Sequence, residues 1–180
     1  MTYEEILSFW FEQTEPEKWW IKDSEFDLLI KTRFLPVHEC ANQCELYEWR
    51  KSAEGSLAEI IILDQFSRNI FRDTPKSFAS DQLALALAQE AVAQGKDLAL
   101  IDKVERAFFY MPFMHSESLK IHETGLRLFK ANGIQSYLDF EIKHKQIIER
   151  FGRYPHRNQI LGRRSTPAEI AFLEQPDSVF

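Results

Sequence analysis

Glycine is scarce in this chain, with 6 in 180 residues, and so are valine, with 4, and threonine, with 6. Tight hairpins draw on glycine, and strands favour β-branched side chains, so the shortage argues against an all-β fold. There are only two cysteines, Cys40 and Cys44. They stand four apart in what reads as one helix, where a bridge would strain disulfide geometry, so they read as reduced thiols of a cytoplasmic protein. No basic stretch precedes the first apolar residues of MTYEEILSFW, so a signal peptide is not expected. The longest apolar run, Ala107–Met114, is too short to span a bilayer.

What is present favours helices. Leucine (18), isoleucine (15) and phenylalanine (15) are abundant. At 44% hydrophobic and 28% charged residues the chain can bury a core, which excludes global disorder. The length suits a single all-helical domain over residues 1–180. Thr2-x-x-Glu5 reads as a capping box before an apolar stretch that Pro16 ends. Asp23 or Ser24 can cap a second helix running to Cys44, with a kink or break expected at Pro36. A third helix is expected from Gly55-Ser56 through LAEIIILDQFSRNIFR, and a Leu- and Ala-rich fourth from Ser80 to Gln94, followed by Gly95. The piece ERAFFYM is expected to stop at Pro112. Leu119, His122, Leu126 and Phe129, then Tyr137, Phe140, His144, Ile147 and Phe151, recur at helical spacing over 117–131 and 136–151. Thr166-Pro167-Ala168-Glu169 joins an N-cap, a first-turn proline and a capping glutamate, and opens a last helix to Leu173. Short, closely spaced helices suggest stacked antiparallel pairs.

Charge is unevenly placed. The net charge is −6, yet residues 143–164 hold seven basic side chains against Glu149 alone, while residues 1–30 hold eight acids against two lysines. An acidic chain without a recognised RNA module or interleaved stacking residues is a poor nucleic-acid binder. Three polar groupings stand out. Asp64, Gln65, Arg68, Asn69 and Arg72 interrupt a nearly all-apolar helix; Asp64 and Arg68, four apart with the acid first, form either the charged floor of a pocket or a structural ion pair. His115 and Glu117 follow the break at Pro112 and could act as a base and its orienting group or as metal ligands, but His115, His122 and His144 all fall on apolar stripes and read first as core histidines satisfied by hydrogen bonds. Arg153, His156, Arg157 and Asn158 lie in a loop with more guanidinium groups than structure requires. It is either an anion-binding loop or a lock in which arginines pair with acids such as Asp64 or Glu117. The histidines lack the spacing of a metal motif, His38-x-Cys40 with Cys44 is a poor zinc pattern, and no metal or cofactor is expected. Trp10, Trp19, Trp20, Phe9 and Phe11 read as an aromatic core cluster.

The segments FWF, WW-x-K-D-x-x-FD, LAEIIILDQFSRNIFR, FASDQLALALA, ERAFFYMPFMHSE and FGRYPHRNQILGRRSTPAEIAFL occur in order along nearly the whole chain. On these the chain resembles the bacterial family called domain of unknown function 924. Ser67 stands where that family often has proline. The resemblance implies an all-α fold, a tetratricopeptide-like right-handed superhelix, and assigns no activity. The family's polar positions carried onto this chain are Asp64, Gln65, Arg68, Asn69, Arg72, His115, Glu117, Arg153, His156, Arg157 and Asn158. Three functions from different classes are compatible with these residues. One is binding of a small anion or acidic peptide end at a composite Arg/His/Asp site. A second is a protein-interaction scaffold with a purely structural polar cluster. The third is a hydrolase using His115 or His156 as base, although no nucleophile elbow, Walker loop or dinucleotide fingerprint is present.

Overall fold

A computed structural model describes residues 1–176, and among them every regular element is helical. Helix α1 (Tyr3–Leu7) begins where the Glu5 carboxylate accepts the Thr2 amide at 2.6 Å, and runs on through a wide π-type turn, Ser8–Glu12. Asp23 caps α2 (Ser24–Asn42), accepting from the amides of Glu25 and Phe26. Helix α2 runs on through Pro36, so the break that the sequence allowed there does not occur. Phe34, Val37, His38 and Ala41 around it are buried, and their packing outweighs the one hydrogen bond that proline removes.

Helix α3 (Ala53–Ile61) starts earlier than the sequence suggests, because Ser52 caps it through the Gly55 amide. Gly55 is thus an inside residue, and an added Cβ would lie 2.1 Å from the Trp49 carbonyl oxygen. A second π-type turn, Ile62–Phe66, leads into α4 (Ser67–Ile70). Ser67 donates to the Leu63 carbonyl at 2.6 Å and meets His38 Nε2 at 2.8 Å, so its hydroxyl does local work that a proline could not.

Helix α5 (Asp81–Ala93) turns Ala84, Ala88 and Ala91 inward, and these small side chains let it lie against α3 and later α7. After α6 (Lys96–Ala99), Asp102 caps α7 (Lys103–Met114). Pro112 was expected to end this helix, but α7 continues through it to Met114. Ala107 to Met114 are all buried, so tertiary packing again overrides the proline. That continuation sets His115 at the C-terminal end of α7. Helices α8 (Leu119–Asn132) and α9 (Gln135–Phe151) follow, each closed by a left-handed glycine, Gly133 and Gly152. The last helix is α10 (Pro167–Leu173), with the expected capping box at Thr166 and Glu169.

Sequence neighbours are spatial neighbours at the C-terminal end, where α7 packs on α8 and α8 on α9. The main core gathers Phe9, Trp10, Phe26, Phe34, Phe66 and Phe108 with the buried faces of α3 and α7, which accounts for the N-terminal aromatic cluster. Trp20, at 54% exposed, is the member of that cluster left outside. A smaller core of Ile147, Ile148 and Tyr154 sits under the arginine-rich segment. Cys40 and Cys44 are both free thiols. No helix among the described residues is long and apolar enough to cross a membrane.

Candidate functional site

The C-terminal end of α7 leaves carbonyl groups without helical partners. Two are met by the segment after α9. The Tyr154 hydroxyl donates to the Met114 carbonyl at 2.5 Å, and Arg157 Nη2 donates to the His115 carbonyl at 3.1 Å. A third, on Ser116, meets His122 Nε2 at 2.8 Å. Residues 40 positions apart in the chain are therefore held together by capping, and the polar side chains they carry converge.

Asp64 is the buried centre of the cluster. The π-type turn Ile62–Phe66 carries it, and its side chain is 1% exposed. His115 Nδ1 lies 2.7 Å from Oδ1, Gln65 Nε2 donates to Oδ2 at 2.5 Å, and Arg68 Nη1 donates to the Asp64 carbonyl at 2.6 Å. Burial alone would raise the pKa of this carboxyl. The adjacent Arg68 charge and the hydrogen bonds from His115 and Gln65 reverse that, and Asp64 is held well below the usual carboxylate range. His115 shifts down from its ordinary value, first through burial and then through Arg68, with Asp64 opposing. Burial and the Arg68 charge thus favour its neutral form. The carboxylate opposite Nδ1 favours the tautomer that carries its proton there. Nε2 makes no hydrogen bond among the described residues, and the side chain keeps 16% of its surface exposed.

Asp81, at the start of α5, joins two arginines. Arg68 donates to it through Nη1 at 3.0 Å and Nη2 at 3.3 Å, and Arg157 through Nη1 at 3.1 Å. The Arg157 guanidinium lies 4.5 Å from the Phe78 ring centroid and 4.7 Å from that of Tyr154, a stacked setting that suits a planar cation. Its Nε–H is buried and finds no acceptor among the described residues. Beside this group Glu117 takes a two-pronged bond from Arg163, at 2.6 and 2.9 Å, and accepts the Tyr154 amide at 2.7 Å. Burial pushes the Glu117 pKa up, but Arg163 and the amide bring it below normal. Asn158 supports Arg163, accepting from its Nε at 2.9 Å. His156 lies beside Tyr154, with ring centroids 5.5 Å apart and the planes tilted by 32°, and burial with the nearby Arg157 and Arg68 charges lowers its pKa to about 3.

Asp64, Arg68, His115, Glu117, His156, Arg157 and Asn158 thus occupy one neighbourhood. Three other residues singled out in the sequence do not join it. Asn69 and Arg72 both bind Asp27 and tie α4 to α2, Asn69 at 2.8 Å and Arg72 through two hydrogen bonds. Arg153 holds Glu169 through Nε at 2.7 Å and Nη2 at 2.9 Å, and so fastens α10 to the end of α9. Asp81 and Asp27 are not expected from the sequence as partners, and Arg163 and Tyr154, although within the arginine-rich segment, are not among the site residues expected from it. Asp81 occupies the first turn of a helix, where an acid is expected for local reasons, so only the fold shows that it bridges two distant arginines. Among the described residues, no three His, Cys, Asp or Glu side chains gather closely enough to hold a metal ion.

An all-helical chain with an internal carboxylate–imidazole–guanidinium cluster is the class that fold and site define. The chain matches the family model described as bacterial protein of unknown function, DUF924, over residues 6–177, and it belongs to that family. It is also similar to a solved structure, a protein of unknown function, ATU0120, from Agrobacterium tumefaciens, at 42% identity with a TM-score of 0.90 over 96% of each chain. No curated protein matches it.

Proposed function

We propose that this cluster binds a small anionic ligand or acidic peptide end at the exposed edge of His115, with Arg68 and Arg157 as its cationic walls. The observation that carries the reading is the open Nε2 of an imidazole whose other nitrogen is tied to Asp64. A histidine serving only to fill space and pair with Asp64 has no need of an accessible second nitrogen. The unmatched Nε–H of Arg157 supports the same reading, because a buried donor without an acceptor costs about 1–3 kcal/mol and a ligand or water oxygen would relieve it. With His115 neutral, Arg68 and Arg157 are balanced by Asp64 and Asp81. Affinity then comes from directed hydrogen bonds rather than from surplus charge.

Inorganic phosphate titrated into the protein tests this by calorimetry, with His115→Asn as the informative variant. The asparagine amide can still donate to Asp64 but offers nothing in place of Nε2. Loss of binding with an unchanged melting temperature supports the site, and unchanged binding removes it.

A second reading is favoured by the pairing itself. Arg68, Arg157 and Arg163 meet Asp81, Asp64 and Glu117, so the cluster also locks residues 154–163 onto the end of α7. In that case the interaction surface lies elsewhere, as in a scaffold protein. A groove lined by Glu54, Leu100, Ile101, Asp102 and Glu105 opens near the start of α7, away from His115, and Ile101 there is 95% exposed. Variants at His115 that melt early without any ligand effect are the outcome this reading expects.

A further inference from the structure

This inference rests on the anion-binding reading and narrows the ligand it admits. The His115 ring has one proton to place, and the structure shows where it is used. Nδ1 stands 2.7 Å from a carboxylate oxygen, an acceptor without a proton of its own, so the N–H belongs on that side. Nε2 is then a bare lone pair. The ring keeps part of its surface exposed, Arg68 lies 3.5 Å from the same Asp64 oxygen that Nδ1 meets, and Arg157 reaches the His115 carbonyl at 3.1 Å, so both guanidinium groups belong to its neighbourhood. A second proton on the ring would add a positive charge close to the Arg68 and Arg157 guanidinium groups in a largely buried setting, which disfavours it.

The receiving edge therefore combines donors with one strong acceptor. An oxyanion with no proton of its own can satisfy the guanidinium donors, but it sets oxygen lone pairs against the Nε2 lone pair. An oxyanion that retains a hydroxyl can satisfy both at once. It gives its O–H to Nε2 and directs its charged oxygens to the arginines. We infer that the site selects oxyanions that keep an acidic hydroxyl at neutral pH, of which inorganic phosphate is the simplest, over fully deprotonated ones such as sulfate.

Phosphate and sulfate are nearly equal in size and shape, so the comparison isolates the proton. Each would be titrated into the full chain at pH 7.5 and constant ionic strength, with the ¹⁵N resonance of His115 Nε2 followed alongside the calorimetry. One hydrogen bond made rather than opposed corresponds to about tenfold in affinity. Phosphate binding about tenfold or more tighter than sulfate, with the Nε2 resonance moving on phosphate addition, is the expected result. Equal binding overturns the selectivity and leaves the anion site standing. Phosphate binding that leaves Nε2 unmoved also overturns it, because the ligand then sits elsewhere. If neither anion binds, the anion-binding reading itself falls and this inference falls with it.

Discussion

Acidification from pH 6.5 to pH 5 should remove much of this protein's stability through its buried histidines. Burial pushes His38 down to about 4 and His144 to about 3, and their side chains are almost wholly enclosed, at 4% and 6% exposure. In the unfolded chain both return to about 6.5. Between the two values the unfolded state binds a proton that the folded state refuses, so stability rises with pH and is lost as pH falls. From pH 6.5 to pH 5 this amounts to about 1.6 kcal/mol for each histidine, or about 3 kcal/mol for the two. His156, lowered to about 3, and His115, lowered without as complete a burial, act in the same direction. Glu141 works the other way. Its burial raises its pKa, so protonation of the folded state gives back part of the loss as the pH falls. Asp64, Glu117 and Glu169 are depressed carboxylates, and their stabilising share is lost only below about 4.5, outside this window. Total stability of a domain this size is about 5–15 kcal/mol, so the loss is large enough to measure without ambiguity. Urea unfolding at pH 7, 6.5, 5.5 and 5, extrapolated to water, reads it directly. His38→Gln should flatten the pH dependence by the share of one histidine. A midpoint that stays constant from pH 6.5 to 5 would refute the reasoning, since neutral buried imidazoles cannot be silent there.

Four other perturbations follow from particular contacts. Asp81→Ala leaves Arg68 and Arg157 without their shared carboxylate and should cost about 3 kcal/mol in urea unfolding; a loss near zero would mean the bridge is not holding the C-terminal segment. Gly125→Ala places a Cβ 2.9 Å from Glu141 Oε1 and 3.2 Å from Phe113 Cβ, and because His122 holds Glu141 in place the crowding should cost about 1–3 kcal/mol, exceeding the gain of about 1 kcal/mol in helix propensity; calorimetric melting decides the sign. Arg72→Ala should lower stability by about 1–2 kcal/mol while leaving phosphate affinity unchanged, because its partner Asp27 lies outside the His115 cluster. Arg153→Ala should speed amide hydrogen exchange in α10 before any other helix, since it removes the clamp on Glu169.

Local signals explain what could be read without coordinates. The caps at Thr166 and at Asp23, the left-handed Gly95 after α5 and the apolar spacing of α8 and α9 are determined by residues within a turn of one another, and the elements form as expected. Neither proline interrupts its helix, for a physical reason. Pro36 and Pro112 each remove a single hydrogen bond, but Phe34 and Val37 on one side, and the whole buried run Ala107–Met114 on the other, supply far more by burial. The site was legible as residue types and not as partners. Arg72 and Arg157 look alike in the letters, yet one meets Asp27 and the other Asp81, 45 and 76 positions away. Spacing has no access to such pairs. Asp81 and Asp27 escaped notice because an acid in the first turn of a helix already has a local explanation.

The tautomer of His115 tests the central claim most directly. Long-range ¹H–¹⁵N correlation of the histidine rings at pH 7.5 assigns which nitrogen holds the proton. The account expects a protonated Nδ1, turned to Asp64, and a bare Nε2. A proton on Nε2, alone or together with one on Nδ1, would contradict it.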